Sequence, residues 1–151
     1  MRHISVLFLI TASCLFAANP HCSSVGGGIT TNFIDASTTL GSATGDLAGG
    51  LGVSVLGQNA QPNGNIVLTV HHHWVTQTGD TFSLDQAQVT LFPTSIAGVY
   101  FASYLSGINV NGSGTGRFGP GASGTIYAWG AVDLNKLQLT LRYSGQVCYA
   151  N

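Results

Sequence analysis

Apolar and polar residues alternate with a period of two along most of the chain beyond residue 25, and no helical period of useful length appears there. The clearest stretch is 137–143, which places four apolar side chains on one face of a strand: Leu137, Leu139, Leu141 and Tyr143. The polar residues between them would cover the opposite face. This pattern predicts a half-buried β-strand.

Seven further segments carry a strand signal, and turn residues separate them. Besides 137–143, we predict strands at 29–34, 51–56, 66–75, 82–92, 99–110, 125–130 and 146–149. Glycine, proline, asparagine and aspartate cluster between them at 41–45, 58–65, 78–80, 93–98, 111–116 and 132–135. The apolar phase changes near Asp85 and Gln86, which predicts a β-bulge. About eight strands joined by short turns predict an antiparallel up-and-down sheet, and its closure into a barrel would remove the exposed edges.

The first 18 residues have the features of a secretory signal peptide. Arg2 and His3 form a short cationic start, residues 4–10 are apolar apart from Ser5, and Ala17 with Ala18 offers a cleavage site. The apolar run is too short to span a bilayer. We therefore predict a leader at 1–18 and a single domain at 19–151, secreted or periplasmic and without a transmembrane segment. A lipoprotein with a lipidated Cys14 is the alternative reading of this segment.

The cysteines support an oxidising compartment. Cys14 would leave with the leader, and Cys22 and Cys148 would remain near the two ends of the mature chain. Exported domains pair such thiols. We predict a Cys22–Cys148 disulfide, and the alternative is two independent buried thiols.

Charge is unusually sparse in this chain. Only 6% of residues are charged, there is no glutamate, and the bases beyond the leader are Arg117, Lys136 and Arg142. Three scattered cations cannot form the basic patch that a nucleic-acid partner requires, so we exclude that class. The chain is nevertheless 44% hydrophobic, which indicates a folded rather than a disordered protein.

One glycine-rich segment resembles a known family. Residues 114–124 read Gly-Thr-Gly-Arg-Phe-Gly-Pro-Gly-Ala-Ser-Gly and are similar to the strand–turn–strand segment of the allene oxide cyclase and dirigent-like barrels, with the bacterial secreted members as the nearest comparison. The resemblance covers about 98–148 and implies an eight-stranded antiparallel barrel of calycin-like shape. The segment is one residue longer than the family pattern, and Pro120 predicts an edge or a bulge there. Plant cyclases use a glutamate that this chain lacks, so the enzymatic activity is not carried over.

Two polar features are candidates for chemistry. On a strand, His71 and His73 would point to one side about 7 Å apart, which is the beginning of a metal site, but no acidic residue follows at a suitable spacing. They are weak candidates, and we predict neither a metal nor another cofactor. Asp85 could turn into the barrel and act as an acid of raised pKa, or it could be a solvated strand residue.

These observations leave three hypotheses about function. We expect a non-catalytic exported barrel that binds a small apolar ligand in its lumen or mouth. The alternatives are a dirigent- or cyclase-like enzyme that guides an apolar intermediate, and a structural protein of the cell envelope with a filled core. An apolar cavity without a buried carboxylate would favour the first, a cavity containing Asp85 the second, and a packed interior the third. The candidate ligand-binding residues are Trp74, Asp85, Phe101, Tyr104, Trp129 and Tyr143.

Overall fold

The computed structural model describes residues 21–109 and 114–150, and these residues form a closed β-barrel. The strands are β1 (His21–Asp35), β2 (Thr38–Ala43), β3 (Gly49–Ala60), β4 (Ile66–Thr76), β5 (Thr81–Ser83), β6 (Ala87–Pro93), β7 (Val99–Gly107), β8 (Ser123–Asp133) and β9 (Gln138–Tyr149). Strands β5 and β6 pair with different halves of β4, so they are two parts of one interrupted barrel strand. The barrel therefore has eight strands.

With β5 and β6 counted as one interrupted strand, each strand pairs antiparallel with its neighbours in the chain, and β1 pairs with β9 over twelve residues to close the barrel. This is the predicted up-and-down order. Because each edge is paired, the described sheet leaves no open edge strand of the kind that promotes aggregation.

The alternation of side chains follows the prediction. In β4, for example, Val70, His72 and Trp74 are buried inside the barrel, whereas His73 and Val75 are exposed on its outer wall. The interior is filled mainly by aliphatic residues from all sides, among them Ile29, Leu51, Val89, Leu91, Ile126, Val132 and Leu141.

The predicted irregularity near Asp85 is a complete break between β5 and β6. Leu84 is buried and forms an isolated bridge with Ile108, and the Asp85 amide donates to the Gly107 carbonyl at 2.8 Å. Before the break the even-numbered residues Phe82 and Leu84 face the interior, and after it the odd-numbered Ala87 does. The change of phase in the sequence therefore marked a real interruption of the ladder.

Several of the predicted strands are too short, since β1, for example, begins at His21 and not at residue 29, and the strand set itself was wrong at two places. Strand β2 was missed because only two of its side chains, Thr39 and Ala43, face the core, and Gly41 was assigned to a turn. A Cβ at Gly41 would collide with the Thr30 carbonyl oxygen, so this glycine permits the close approach of β1 and β2.

The predicted strands 137–143 and 146–149 are one strand, β9. Gly145 lies opposite Ile126 within the ladder and does not form a turn. Leu137 was predicted to face the core, but it belongs to the turn before β9, has a positive φ of 55° and is 52% exposed. The other three apolar residues of that pattern face inward, as predicted.

The predicted disulfide is present. Cys22 and Cys148 are direct cross-strand partners in β1 and β9 and are bonded to each other. It joins the first and last strands. The predicted leader and the end of the predicted strand 99–110 fall in residues 1–20 and 110–113, outside the described residues.

Candidate functional site

The two ends of the barrel differ in construction. We call the end that carries the β2–β3, β4–β5 and β7–β8 connections the closed end, and the opposite one the open end. Two short 3-10 turns, Gly45–Leu47 and Gly116–Phe118, lie at the closed end. Each of them buries one apolar side chain almost completely, Leu47 and Phe118.

An aromatic cluster fills the closed end. The Phe82 ring stacks on Trp74 at 5.4 Å and on Phe118 at 4.2 Å, and Tyr143 meets Trp74 edge-on at 5.6 Å between ring centroids. Such pairs add stability beyond their buried area. This half of the barrel is therefore a packed plug.

Hydrogen bonds satisfy the polar atoms of this plug. The Trp74 indole nitrogen donates to the Leu47 carbonyl at 2.7 Å, and the Leu47 amide donates to the Tyr143 hydroxyl at 2.9 Å. The Tyr143 hydroxyl in turn donates to the Thr44 carbonyl at 2.9 Å. Both partners of Tyr143 belong to the turn around Leu47, so this tyrosine fixes that turn against the barrel.

The glycine-rich segment 114–124 takes part in the same plug. Gly116 and Gly121 have φ of 55° and 95°, a backbone conformation that glycine adopts without the strain a side chain would cause. The Arg117 side chain lies 3.4 Å from the Asp80 carboxylate and 5.0 Å from the centre of the Tyr149 ring. The segment therefore holds the plug in place. It forms a 3-10 turn and leads into β8, whereas the resemblance implied two strands.

The open end is an apolar depression of about 390 Å³, which we call the mouth. Its wall is largely apolar and includes Ala36 and Gln58 beside six larger apolar side chains: Phe33, Val55, Ile66, Leu68, Leu91 and Leu134. Ile34 and Leu137 stand at its rim with 59% and 52% of their surface exposed. Pockets of this size and polarity are typical of small-molecule sites.

Asp35 is the one charged residue among the described residues that line the mouth. Its carboxylate accepts hydrogen bonds from the Ser37 amide at 2.7 Å and the Ser37 hydroxyl at 2.9 Å. These hydrogen bonds, the amide first, lower the pKa of Asp35 below its ordinary value. The carboxylate is therefore ionised at neutral pH and places a negative charge at the rim.

A smaller cavity of about 40 Å³ lies below the mouth, and we call it the inner cavity. The two spaces share Phe33, Val55, Leu68 and Leu91 as lining residues, so they are adjacent along the barrel. Most of the lining of the inner cavity is aliphatic. Its polar side chains are Thr31, Thr39, His72 and Tyr104.

His72 is the most perturbed titratable group of the inner cavity. Its ring is 3% exposed and stacks on Tyr104 at 4.8 Å. Burial, and secondly the proximity of His71 and His73, lowers the pKa of His72 to about 3, so the imidazole is neutral at physiological pH. Burial likewise raises the pKa of the Tyr104 hydroxyl. The cavity is consequently uncharged.

The candidate ligand-binding residues of the sequence are distributed over three regions. Trp74 and Tyr143 belong to the plug, and Tyr104 lines the inner cavity. Asp85, Phe101 and Trp129 lie outside the barrel: Asp85 and Phe101 are exposed, and Trp129 stacks on Tyr127 at 5.1 Å on the outer wall of β8. The structure thus brings Tyr104 alone of these residues to the hollow part of the barrel.

The two metal candidates face outward. The rings of His71 and His73 are 4.4 Å apart, and His73 Nδ1 lies 3.1 Å from the Ser83 hydroxyl oxygen. Among residues 21–109 and 114–150 no group of three or more metal-ligating side chains is found. Across the same residues, no helix has the length and apolarity needed to cross a membrane.

Sequence reasoning expected a ligand in the lumen or mouth of the barrel but missed the residues that line the mouth. Its lining comes from four different strands and two turns, and most of its residues are ordinary apolar positions of each strand pattern. Leu137 carried a usable signal in the sequence, because it directly follows the turn residues Asn135 and Lys136. An apolar residue in that position can lie before the start of the strand. The grouping with Phe33 and Leu91 had no signal in the linear pattern.

The fold and the site define a class: an eight-stranded antiparallel barrel with a disulfide between its end strands, an aromatic plug in one half and an apolar mouth in the other. No family model, curated protein or solved structure matches the chain.

Proposed function

We propose that this protein is an exported, non-catalytic barrel that binds a small, uncharged, apolar molecule at its mouth. The observation that carries the proposal is the apolar depression of about 390 Å³ with Ile34 and Leu137 exposed at its rim. In water such a surface is costly, and a bound apolar molecule would cover it.

The construction of the barrel supports a binding role over a purely structural one. A structural envelope protein with a filled core would be packed along its whole length. Here the plug packs one half, whereas the other half contains a small inner cavity and opens into the mouth. Rigid support at one end and an open apolar space at the other suit a preformed ligand site.

The enzyme alternative has less support. It required a carboxylate inside the cavity, and the candidate, Asp85, is exposed at the break between β5 and β6. The polar residues of the inner cavity include Tyr104 but no acid. An apolar cavity without a buried carboxylate is what we expect of a binding protein.

Two further observations support the exported location and the barrel architecture in this proposal. The Cys22–Cys148 disulfide suits an oxidising compartment, in agreement with the predicted leader and a secreted or periplasmic location. The barrel agrees with the architecture implied by the resemblance of 114–124 to the allene oxide cyclase and dirigent-like family. Membership of that family remains a prediction.

The test is a fluorescence titration of the purified, oxidised protein with N-phenylnaphthylamine, an uncharged probe that brightens in apolar surroundings. We expect saturable binding. The double variant Ile34→Ser, Leu137→Asn should weaken it about tenfold or more, because two apolar contacts of about 1 kcal/mol each are removed. Asparagine also tolerates the positive φ at 137 better than leucine does, so the variant should fold.

The matched control is Leu105→Ser, which removes a leucine that is 65% exposed on the outer wall. We expect the control to bind the probe as the native protein does. Absence of saturable binding, or equal weakening in the control and the mouth variant, would refute binding at the mouth.

A further inference from the structure

Two buried polar atoms of the inner cavity have no hydrogen-bond partner among the described residues: His72 Nδ1 and Thr39 Oγ1. Their residues are 3% and 2% exposed. Both line the inner cavity. The third such atom among the described residues, Arg117 Nε, belongs to the plug and lies 3.4 Å from the Asp80 carboxylate, whereas His72 and Thr39 both line the inner cavity.

An unpaired buried polar group costs free energy, about 1–3 kcal/mol for a neutral group. Native proteins recover this cost with a partner, which is protein, water or ligand. The inner cavity has a volume of about 40 Å³, and one water molecule needs roughly 10–15 Å³ of such space, so a few heavy atoms fit there. A polar group that enters the cavity would therefore lie among lining residues that include His72 and Thr39.

The position of these atoms fits the end of an elongated ligand. Thr39 pairs with Val53 across β2 and β3, and Val53 pairs with His72 across β3 and β4, so the three residues lie in one row around the barrel. The inner cavity is adjacent to the mouth through shared lining residues such as Leu68 and Leu91. An apolar body in the mouth would thus direct one end toward this row.

The charges of the site restrict the chemistry of that end. No lysine or arginine is found among the described residues that line the mouth or the inner cavity, and Asp35 places a negative charge at the rim. A carboxylate or phosphate would be buried without a counterion, which is unfavourable. A hydroxyl group is uncharged, and it both donates and accepts hydrogen bonds.

We propose that the ligand is an apolar alcohol whose hydroxyl group enters the inner cavity, where His72 Nδ1 and Thr39 Oγ1 supply its hydrogen bonds. This inference rests on the proposed function, because the apolar body of the alcohol occupies the mouth. It adds a polarity requirement to a site that would otherwise accept any hydrocarbon of suitable size.

The test measures displacement of N-phenylnaphthylamine by three molecules of equal chain length: n-decanol, n-decyl chloride and decanoate. We expect n-decanol to bind about tenfold or more tightly than n-decyl chloride, which is the factor that one hydrogen bond of about 1.4 kcal/mol provides. Decanoate at neutral pH should bind more weakly than n-decanol, because its charge is buried without a cation.

Thr39→Val and His72→Phe should each reduce the preference for n-decanol over n-decyl chloride toward one. Thr39→Val changes a hydroxyl into a methyl of similar shape, and His72→Phe keeps an aromatic ring against Tyr104. The preference of the native protein is informative even if a variant fails to fold.

The outcomes separate the two proposals. If the probe and n-decyl chloride bind but n-decanol has no advantage, water or nothing fills the inner cavity and the alcohol proposal is overturned, while binding at the mouth stands. Tighter binding of decanoate than of n-decanol would overturn it as well. If none of the molecules binds saturably, the proposed function fails and this inference fails with it.

Discussion

The neutral, buried His72 makes the stability of the barrel depend on pH, and His72→Phe should remove that dependence. In the unfolded chain the imidazole has its ordinary pKa of 6.5, whereas burial lowers the folded-state pKa to about 3. Between these values the unfolded chain binds a proton that the folded protein excludes. The stability contribution is therefore complete above about pH 6.5 and is lost progressively as the pH falls toward 3.

The magnitude follows from the shift. A pH of 5 lies about 1.5 units below the unfolded-state pKa of 6.5. Protonation of His72 therefore stabilises the unfolded chain by about 2 kcal/mol at this pH, at about 1.36 kcal/mol per unit. This is a large fraction of the 5–15 kcal/mol by which a domain is ordinarily stable. Below about pH 3 the folded protein also takes up the proton, so the slope from this residue ends there.

The assay is urea unfolding at pH 7 and pH 5, followed by the fluorescence of the buried Trp74. The native protein should lose about 2 kcal/mol more than His72→Phe between the two pH values. The comparison uses the change with pH, so a constant effect of the substitution on packing cancels. His73→Gln alters an exposed imidazole on the outer wall and should keep most of the native pH dependence.

Parallel losses in the native protein and His72→Phe, within a few tenths of a kcal/mol, would refute the reasoning. They would mean that the imidazole is protonated in the folded state at pH 5 and has a polar environment. If His73→Gln removed as much of the pH dependence as His72→Phe, the assignment of the pH dependence to His72 would also be refuted.

Three further predictions concern stability and are checked by the same unfolding experiment. Replacing both Cys22 and Cys148 by serine should cost about 5 kcal/mol on the chain-entropy account of a cross-link over 126 residues, and an unchanged unfolding midpoint would contradict it. Tyr143→Phe should cost about 2 kcal/mol, since it leaves a buried amide and a carbonyl without their partner; a loss below 0.5 kcal/mol would show that water replaces the hydroxyl. Gly145→Ala should prevent folding or destabilise strongly, because its Cβ would collide with the carbonyl oxygen of the neighbouring strand, whereas Gly50→Ala, which has open space, should fold normally; equal behaviour would refute the close approach.

Part of the candidate site was accessible from sequence and part was not. The period-two pattern put His71 and His73 on one side of their strand, and in the structure they share the outer face of β4 while His72 faces inward. The aromatic residues were treated as one set of ligand contacts because side-chain type carries no information about height along the barrel. Trp74 and Tyr104 both point inward, yet one packs in the plug and the other lines the inner cavity.

The sequence by itself determined the class of fold and its covalent closure. Period-two alternation decides which side chains face inward in each strand, and it required no knowledge of the neighbouring strands. Two cysteines near the chain ends gave the disulfide. The local phase change near Asp85 was likewise enough to locate the break between β5 and β6.

Only the tertiary structure decided where the barrel is filled and where it is hollow. The plug depends on 3-10 turns that insert Leu47 and Phe118 from opposite parts of the chain, and the mouth depends on turns and strands that meet only when the sheet closes. Cavity volume is a difference between the space that the barrel encloses and the side chains that fill it. That difference is set by strand register and the position of the turns, and no single segment of the sequence contains it.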